Sequence, residues 1–98
     1  MSLPVIINPL AEADLKTGYA WCEQRRPGQG ADFLLCAEEV FERIGRQPEW
    51  YGREFEELRV APLRRHPYGV VYRIDAAQIT VVAVYHLRSN PRVWQSRA

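Results

Sequence analysis

The spacing of apolar residues at the start of the chain predicts a short strand and then a helix. Residues 5–7 form a β-branched run, which is typical of a strand. Asn8 suits a helix N-cap and Pro9 the first helical position, and apolar residues then recur every three or four positions. The predicted helix runs from about Pro9 to Gln24. Its buried stripe is expected to consist of Ala11, Leu15, Tyr19 and Cys22.

A second helix is predicted after the Pro27-Gly28 turn. Asp32 suits its N-cap, and the helix is expected to end near Gln47, between Gly45 and Pro48. Its apolar face consists of Phe33, Ala37, Val40, Phe41 and Ile44. Because the connection between the two helices is short, we expect them to pack antiparallel as a hairpin.

The second half of the chain changes from the helical period to alternation. Residues 49–57 are polar and are predicted to be a loop. Three strands follow, at Leu58–Leu63, Tyr68–Ile74 and Ile79–Leu87. The last two are joined by a tight turn and should pair antiparallel, and the third is apolar on both faces, as a central strand is. Pro91 opens a last short helix. The predicted fold is α+β with the order β-α-α-β-β-β, in which a helical hairpin packs on one face of a mostly antiparallel sheet and a short C-terminal helix follows.

Length and composition favour a single globular domain. The chain has 98 residues, of which 47% are hydrophobic and 26% charged, so residues 1–98 are predicted to form one domain. No apolar run approaches the roughly 20 residues of a membrane span, and the first residues lack the features of a signal peptide. We therefore expect a cytoplasmic protein without a membrane partner.

The sequence does not predict a metal, a cofactor or a nucleophilic active site. Two cysteines are too few for a disulfide framework or a zinc site, and both Cys22 and Cys36 lie at apolar positions of the predicted helices. We expect buried thiols that do not meet a histidine. The chain also lacks a P-loop, a G-x-G-x-x-G segment, an H-E-x-x-H segment and a G-x-S-x-G segment.

The charge is divided unevenly between the two halves of the chain, although the net charge is only +1. Up to Glu57 there are six basic and eleven acidic residues, whereas from Leu58 onward there are seven arginines and a single acid, Asp75. Such asymmetry favours an anionic partner for the second half. The alternative is a basic face that pairs with the acidic face of the same chain.

Basic and aromatic residues concentrate where the second predicted strand begins and the third ends. In an antiparallel pair these two segments are neighbours, which predicts one cationic sheet edge. Such an edge suits contact with phosphates and bases, or with an acidic protein segment. The candidate binding residues are Arg59, Arg64, Arg65, His66, Tyr68, His86, Arg88, Arg92 and Trp94. Three of these also have a structural interpretation: Tyr68 as a core residue, His86 as a hydrogen-bonded structural histidine, and Trp94 as a cover for the end of the core.

Three segments, in this order, resemble toxins of the RelE/ParE superfamily from bacterial type II toxin–antitoxin modules. They are INPLAEADL at residues 7–15, LRRHPYGVVYRI at 63–74, and VVAVYHLRSNPRVWQSR at 81–97. The resemblance implies the same α+β fold and a cognate antitoxin that neutralises the toxin. It also implies that operator DNA is contacted only through the antitoxin, which we expect to cover the helical hairpin and the groove beside the basic edge.

The superfamily divides by target, and the departures from its nuclease pattern favour the ParE side. ParE-type toxins inhibit DNA gyrase and are not nucleases, whereas RelE-type toxins cut messenger RNA on the ribosome. Gly69 stands where RelE-type nucleases typically carry an arginine, and Trp94 stands where they carry a tyrosine. The alternative is a metal-independent endoribonuclease with His86 as base, Arg65 and Arg88 stabilising charge, and Trp94 stacking on a base. A third possibility is an inactive protein that only pairs with its antitoxin.

Overall fold

The structure is a computed structural model that describes residues 2–98, so Met1 of the predicted 1–98 domain lies outside the described residues. It contains five strands and three helices within that range. They are β1 (Val5–Ile7), α1 (Pro9–Arg25), α2 (Gln29–Arg46), β2 (Arg53–Phe55), β3 (Leu58–Pro62), β4 (Tyr68–Ile74), β5 (Ile79–His86) and α3 (Arg92–Gln95). The predicted α+β class is confirmed. None of the described helices has the length and apolar content that a membrane crossing requires.

The strands form one mixed sheet in the order β1-β5-β4-β3-β2. The pairs β5–β4, β4–β3 and β3–β2 are antiparallel, and β1 lies parallel to β5. The prediction that the long apolar strand β5 is central is therefore confirmed. The prediction of a loop over residues 49–57 is wrong, because this range contains β2. That strand is only three residues long, and its first two residues are polar and exposed at the sheet edge, so it shows no apolar alternation.

The start of α2 differs from the prediction. The helix begins at Gln29, after Gly28 with a left-handed φ of 91°, so Asp32 lies in the first turn and not at the N-cap. The carboxylate of Glu23 accepts hydrogen bonds from the backbone N–H groups of Gly28 and Gly30, at 3.1 and 2.9 Å. An acid from the preceding helix thus satisfies the first N–H groups of α2, as a cap residue otherwise would. Asp32 is left available for a contact with the sheet.

The two helices approach each other closely through Gly18. A Cβ atom at this position would lie 2.5 Å from Cζ of Phe33, which is fully buried in α2. Glycine therefore allows the aromatic ring to pack directly on the backbone of α1. The predicted stripe of α1 is correct for Ala11 and Cys22, whereas Tyr19 is 39% exposed and lies outside the core.

Hydrophobic residues fill both faces of the sheet. The larger cluster lies between the sheet and the helical hairpin, and the smaller cluster lies on the opposite face with Trp94 of α3. In β5, Ala83 pairs with Val71 and Val81 pairs with Tyr72, so Val82 is an extra, bulged residue. The bulge places the consecutive residues Val82 and Ala83 in the same, smaller cluster, and Trp94 of α3 covers this face, which the hairpin leaves open.

Candidate functional site

The pairing of β4 with β5 brings together the two basic segments that the sequence singled out. Tyr68 at the start of β4 lies opposite His86 at the end of β5. Beyond them, the backbone N–H of Leu87 donates to the carbonyl of Pro67 at 2.8 Å. The segment before β4 and the turn after β5 therefore lie at the same end of the sheet, as predicted.

Trp21 of α1 completes an aromatic cluster at this end. Its ring centroid lies 5.2 Å from that of His86 and 6.0 Å from that of Tyr68, and the Tyr68 and His86 centroids are 5.2 Å apart. All three contacts are edge-to-face, which is a favourable geometry for aromatic pairs. Sequence reasoning missed Trp21, because this 37% exposed residue lies beside the helix stripe rather than on it.

The orientation of His86 is fixed by the turn that follows β5. Its Nδ1 accepts a hydrogen bond from the backbone N–H of Arg88, 3.1 Å away. With Nδ1 as acceptor, the neutral ring carries its proton on Nε2. A bond to the backbone and two aromatic contacts give His86 the structural role that was its alternative interpretation.

His66 lies inside the protein rather than on the predicted basic edge. It is 8% exposed, and its Nε2 lies 2.7 Å from Oδ2 of Asp32. The same carboxylate accepts hydrogen bonds from Nη2 and Nε of Arg65, at 2.8 and 3.3 Å. The guanidinium of Arg65, followed by the ring of His66, lowers the pKa of Asp32 to about 2. As a surface contact His66 is a wrong prediction, because the core face of α2 binds its ring.

Both cysteines lie beside this cluster, and Cys22 contacts a histidine, contrary to the expectation. Sγ of Cys22 lies 3.9 Å from Nδ1 of His66, and Sγ of Cys36 lies 3.8 Å from Oδ2 of Asp32. The expectation failed because the core-facing side of the hairpin packs directly on the start of β4. Burial raises the pKa of both thiols, so they stay protonated at neutral pH and are not activated nucleophiles.

Asp32, Cys36 and His66 also have the ligand types of a metal site, with donor atoms within 4.8 Å of one another. Arg65 occupies the position that a cation would need, because its Nη2 donates to Asp32 at 2.8 Å and to Cys36 at 3.5 Å. The guanidinium already supplies the positive charge of this group. The arrangement therefore fits a hydrogen-bonded core cluster better than a metal site.

Most arginines of the second half are already paired. Three bind carboxylates of the first half, in the ion pairs Arg64–Glu39, Arg65–Asp32 and Arg97–Asp14. Arg73 pairs with Asp75, and Arg59 donates to the carbonyl of Tyr51. Arg88 and Arg92 make no ion pair within residues 2–98, and both are exposed. The prediction of a single cationic edge is therefore corrected, because carboxylates of the two helices neutralise Arg64, Arg65 and Arg97.

Trp94 does not lie on a binding surface. It is 3% exposed, and its ring packs at centroid distances of 5.6 Å from Tyr85 and 6.3 Å from Phe55. A ring enclosed in this way cannot stack on a base. Tyr68 is 6% exposed and packs 4.9 Å from the ring of Phe33. Both residues therefore take the core role that was their alternative interpretation.

Two cavities lie on either side of Trp21. One, of about 390 Å³, is lined by Arg25, Arg26 and Arg65 beside the turn between the helices. The other, of about 440 Å³, lies between α1 and the end of β5 and contains His86. Arg65 and His86 thus line different cavities, and the residues of the nuclease alternative do not share one. The sequence does not single out the Arg25-Arg26 pair, because it lies in the net-acidic half of the chain, between the predicted helix end at Gln24 and the Pro27-Gly28 turn.

The chain matches known proteins over most of its length. Residues 5–91 match the family model described as the ParE toxin of the type II toxin–antitoxin system parDE. A solved structure of the chromosomal ParDE system from P. aeruginosa is 18% identical with a TM-score of 0.76, and the match covers 87% of this chain and 96% of that one. The toxin–antitoxin complex RelBE2 from Mycobacterium tuberculosis gives 22% identity and a TM-score of 0.60, with coverage of 88% and 99%. At these identities the two structures show a shared fold. No curated protein sequence matches the chain.

Proposed function

The chain belongs to the ParE toxin family of type II toxin–antitoxin systems, and from this premise we propose that it arrests growth by binding DNA gyrase without catalysing a reaction. In this proposal residues 1–98 act as one toxin domain. A cognate antitoxin neutralises the toxin, and operator DNA is contacted only through that antitoxin. The family match also confirms the ParE-side resemblance seen in the three sequence segments.

The observation that carries the proposal is the unpaired charge after β5. Arg88 and Arg92 are exposed and have no acidic partner among the described residues. Arginine is suited to interfaces because its planar guanidinium binds carboxylates and phosphates in a bidentate manner. The pair of Arg64, before β4, with Glu39 is also exposed, with side-chain accessibilities of 59% and 36%, and can exchange partners at little cost. Gyrase would thus meet Arg88 and Arg92 after β5, with Arg64 before β4 as a further exposed arginine at the same end of the sheet.

Other candidate residues make contacts within the fold that hold the surrounding segments in place. Arg59 holds the segment before β2 through the carbonyl of Tyr51 at 2.6 Å. His66 holds Asp32, and the Tyr68 and Trp94 rings are packed in the two cores. We assign these residues to positioning rather than to contact with the target.

The endoribonuclease alternative has less support in the geometry. A general base needs a ring nitrogen with a free lone pair. Nδ1 of His86 already accepts a hydrogen bond from the backbone N–H of Arg88, and Nε2 of the neutral ring carries the proton. Arg65 lies in the other cavity with its guanidinium bound to Asp32. Burial raises the pKa of the Tyr68 hydroxyl, which makes it a poorer acid at neutral pH.

The exposed face of the hairpin supports an antitoxin contact there. A cavity of about 330 Å³, lined almost entirely by apolar atoms, lies between Leu15, Tyr19 and Leu34. Leu10 and Leu35 on the same two helices are more than half exposed. Apolar groups grouped on a surface in this way are typical of interaction sites. An antitoxin helix could bury them while its acidic residues approach the arginines.

Purified protein tests the proposal in two parallel assays. We expect it to inhibit DNA supercoiling by gyrase and to leave messenger RNA intact in a purified translation system. The double variant Arg88→Gln/Arg92→Gln should need roughly tenfold more protein for half inhibition, since losing charged contacts of about 1.4 kcal/mol in total has this effect. Arg53→Gln, which removes an exposed arginine of β2 at the edge of the sheet, is the matched control.

The outcomes separate the three hypotheses. A new message end in the translation assay with unimpaired supercoiling would establish the nuclease instead. If the double variant inhibits gyrase as well as the wild type does, the assigned surface is wrong although the target is right. Induction without the antitoxin gene identifies the inactive protein, because growth would then continue.

A further inference from the structure

The cavity beside the turn between α1 and α2 has the features of an anion site. It measures about 390 Å³, and three arginines line it: Arg25, Arg26 and Arg65. We propose that it binds the phosphate group of a small phosphomonoester or free phosphate. This inference does not depend on gyrase or on the antitoxin, because all the groups that carry it belong to this chain.

The charge of the cavity is not balanced by the protein itself. Asp32 neutralises Arg65, whereas Arg25 and Arg26 make no ion pair in the part of the chain that the structure describes. Glu23 is not among the residues that line the cavity, and its carboxylate accepts hydrogen bonds from the backbone N–H groups at the start of α2. A phosphomonoester carries about −1.5 to −2 charges at pH 7. One phosphate group would therefore balance the two unpaired guanidinium groups.

Two of the three arginines are already held in place. The guanidinium carbon of Arg25 lies 4.6 Å from the ring centroid of Trp21, which is a cation–π contact. Arg65 is fixed by its two bonds to Asp32. Binding to ordered side chains costs less conformational entropy than binding to mobile ones. The cavity is thus partly organised for an anion before one arrives.

The rest of the lining is compatible with a negative ligand. The thiol of Cys22 contributes to the wall, and burial keeps it neutral by raising its pKa. Gln29 adds a side chain with amide donors. The volume lies within the range of about 300 to 1,000 Å³ of small-molecule sites, so a phosphate with a small organic group fits. Trp21 offers that group an aromatic wall.

Calorimetric titration of the full chain tests the proposal, in a phosphate-free buffer of low ionic strength. The probes are inorganic phosphate, adenosine 5′-monophosphate and adenosine. We expect saturable binding of the first two and none of adenosine. Arg25→Gln/Arg26→Gln should weaken binding at least about tenfold, because each removes a charge-assisted contact. Arg53→Gln, an exposed arginine of β2, is the control and should bind as the wild type does.

The two phosphate probes also separate the possible ligands. Tighter binding of the nucleotide would identify a nucleotide-like ligand in contact with Trp21, and equal affinities would identify the phosphate group as sufficient. The proposal is overturned if neither probe binds, if adenosine binds as tightly as its monophosphate, or if the double variant keeps the full affinity. Arg26→Gln alone serves as a second variant, since Arg26 is exposed and has no aromatic contact that its loss would disturb.

Discussion

The buried ring of His66 and the carboxylate of Asp32 are 2.7 Å apart, although 34 positions separate the two residues in the chain. This bond joins the segment before β4 to the first turn of α2. Arg65 shares the same carboxylate, so one acid holds both a histidine and an arginine of the basic segment. Asp32 thus pairs Arg65, and Arg65 lines the cavity beside the turn between the helices.

Asp32→Asn should remove an acid-sensitive part of the stability. The folded pKa of Asp32 is about 2, below the unfolded value of about 3.9. A lowered pKa stabilises the native state above pH 4, and this stabilisation is lost as the pH falls through about 2. We therefore expect wild type and Asp32→Asn to differ at pH 5 in urea unfolding and to converge towards pH 2.

A charge variant at an exposed position is the control for that experiment. Glu49→Gln should lose as much stability on acidification as the wild type does, because Glu49 is exposed in the segment before β2. An equal acid-induced loss in wild type and Asp32→Asn would show that the Asp32 bonds do not contribute.

Gly18→Ala should destabilise the protein by roughly 1–3 kcal/mol, the usual cost of overpacking a core. The added Cβ would lie 2.5 Å from Cζ of Phe33, whose fully buried ring has no room to move away. Thermal or urea unfolding measures the effect. Gly52→Ala provides the comparison, since nothing lies within 4 Å of its added Cβ, and it should leave the stability nearly unchanged.

The sequence predicted the elements that have a clear hydrophobic period. The alternation of Tyr68, Val70 and Tyr72 correctly placed one face of β4 in the larger core. The continuous apolar run of β5 correctly indicated a central strand. In both cases the burial of side chains determines the structure. The spacing of apolar residues along the chain reflects which side chains are buried.

Features that depend on contacts between distant segments could not be predicted in this way. The start of α2 was misplaced because its cap, Glu23, comes from the preceding helix. The cationic edge was overestimated because Glu39 and Asp32 neutralise Arg64 and Arg65 across the fold. Local patterns identify residues with binding chemistry, but only the tertiary structure shows whether a partner already occupies them.

The ion pair between Asp14 and Arg97 should stabilise the protein more than an ordinary surface pair. Their closest atoms are 2.7 Å apart, and about four-fifths of each side chain is buried. The residues of β5 that follow its pairing with β1 bind these two side chains. Asp14 accepts a hydrogen bond from the backbone N–H of Val84, and Arg97 donates one to the carbonyl of Val82. Asp14→Ala should cost about 1–3 kcal/mol, because a backbone donor loses its acceptor.

A double-mutant cycle on Asp14 and Arg97 measures their coupling. The exposed pair Arg53–Glu57 is the matched reference and should give a coupling of about 0.2–1 kcal/mol. We expect a larger coupling for Asp14 and Arg97. A value no greater than that of the reference pair would show that the side chains do not act together on the edge of β5.

Association with the antitoxin should depend strongly on salt if the unpaired arginines attract it. Arg88 and Arg92 are exposed, and dissolved salt screens exposed charges. The Debye length falls from about 10 Å at 0.1 M salt to about 3 Å at 1 M. Raising the salt concentration from about 0.05 to 0.5 M should lower the association rate by roughly tenfold in stopped-flow mixing, while the dissociation rate changes little.

Arg88→Gln/Arg92→Gln should associate more slowly at low salt and respond less to added salt. Arg53→Gln should follow the wild type, because Arg53 lies in β2 at the edge of the sheet and is paired with Glu57. An association rate that is independent of salt in the wild type would mean that these arginines do not attract the antitoxin.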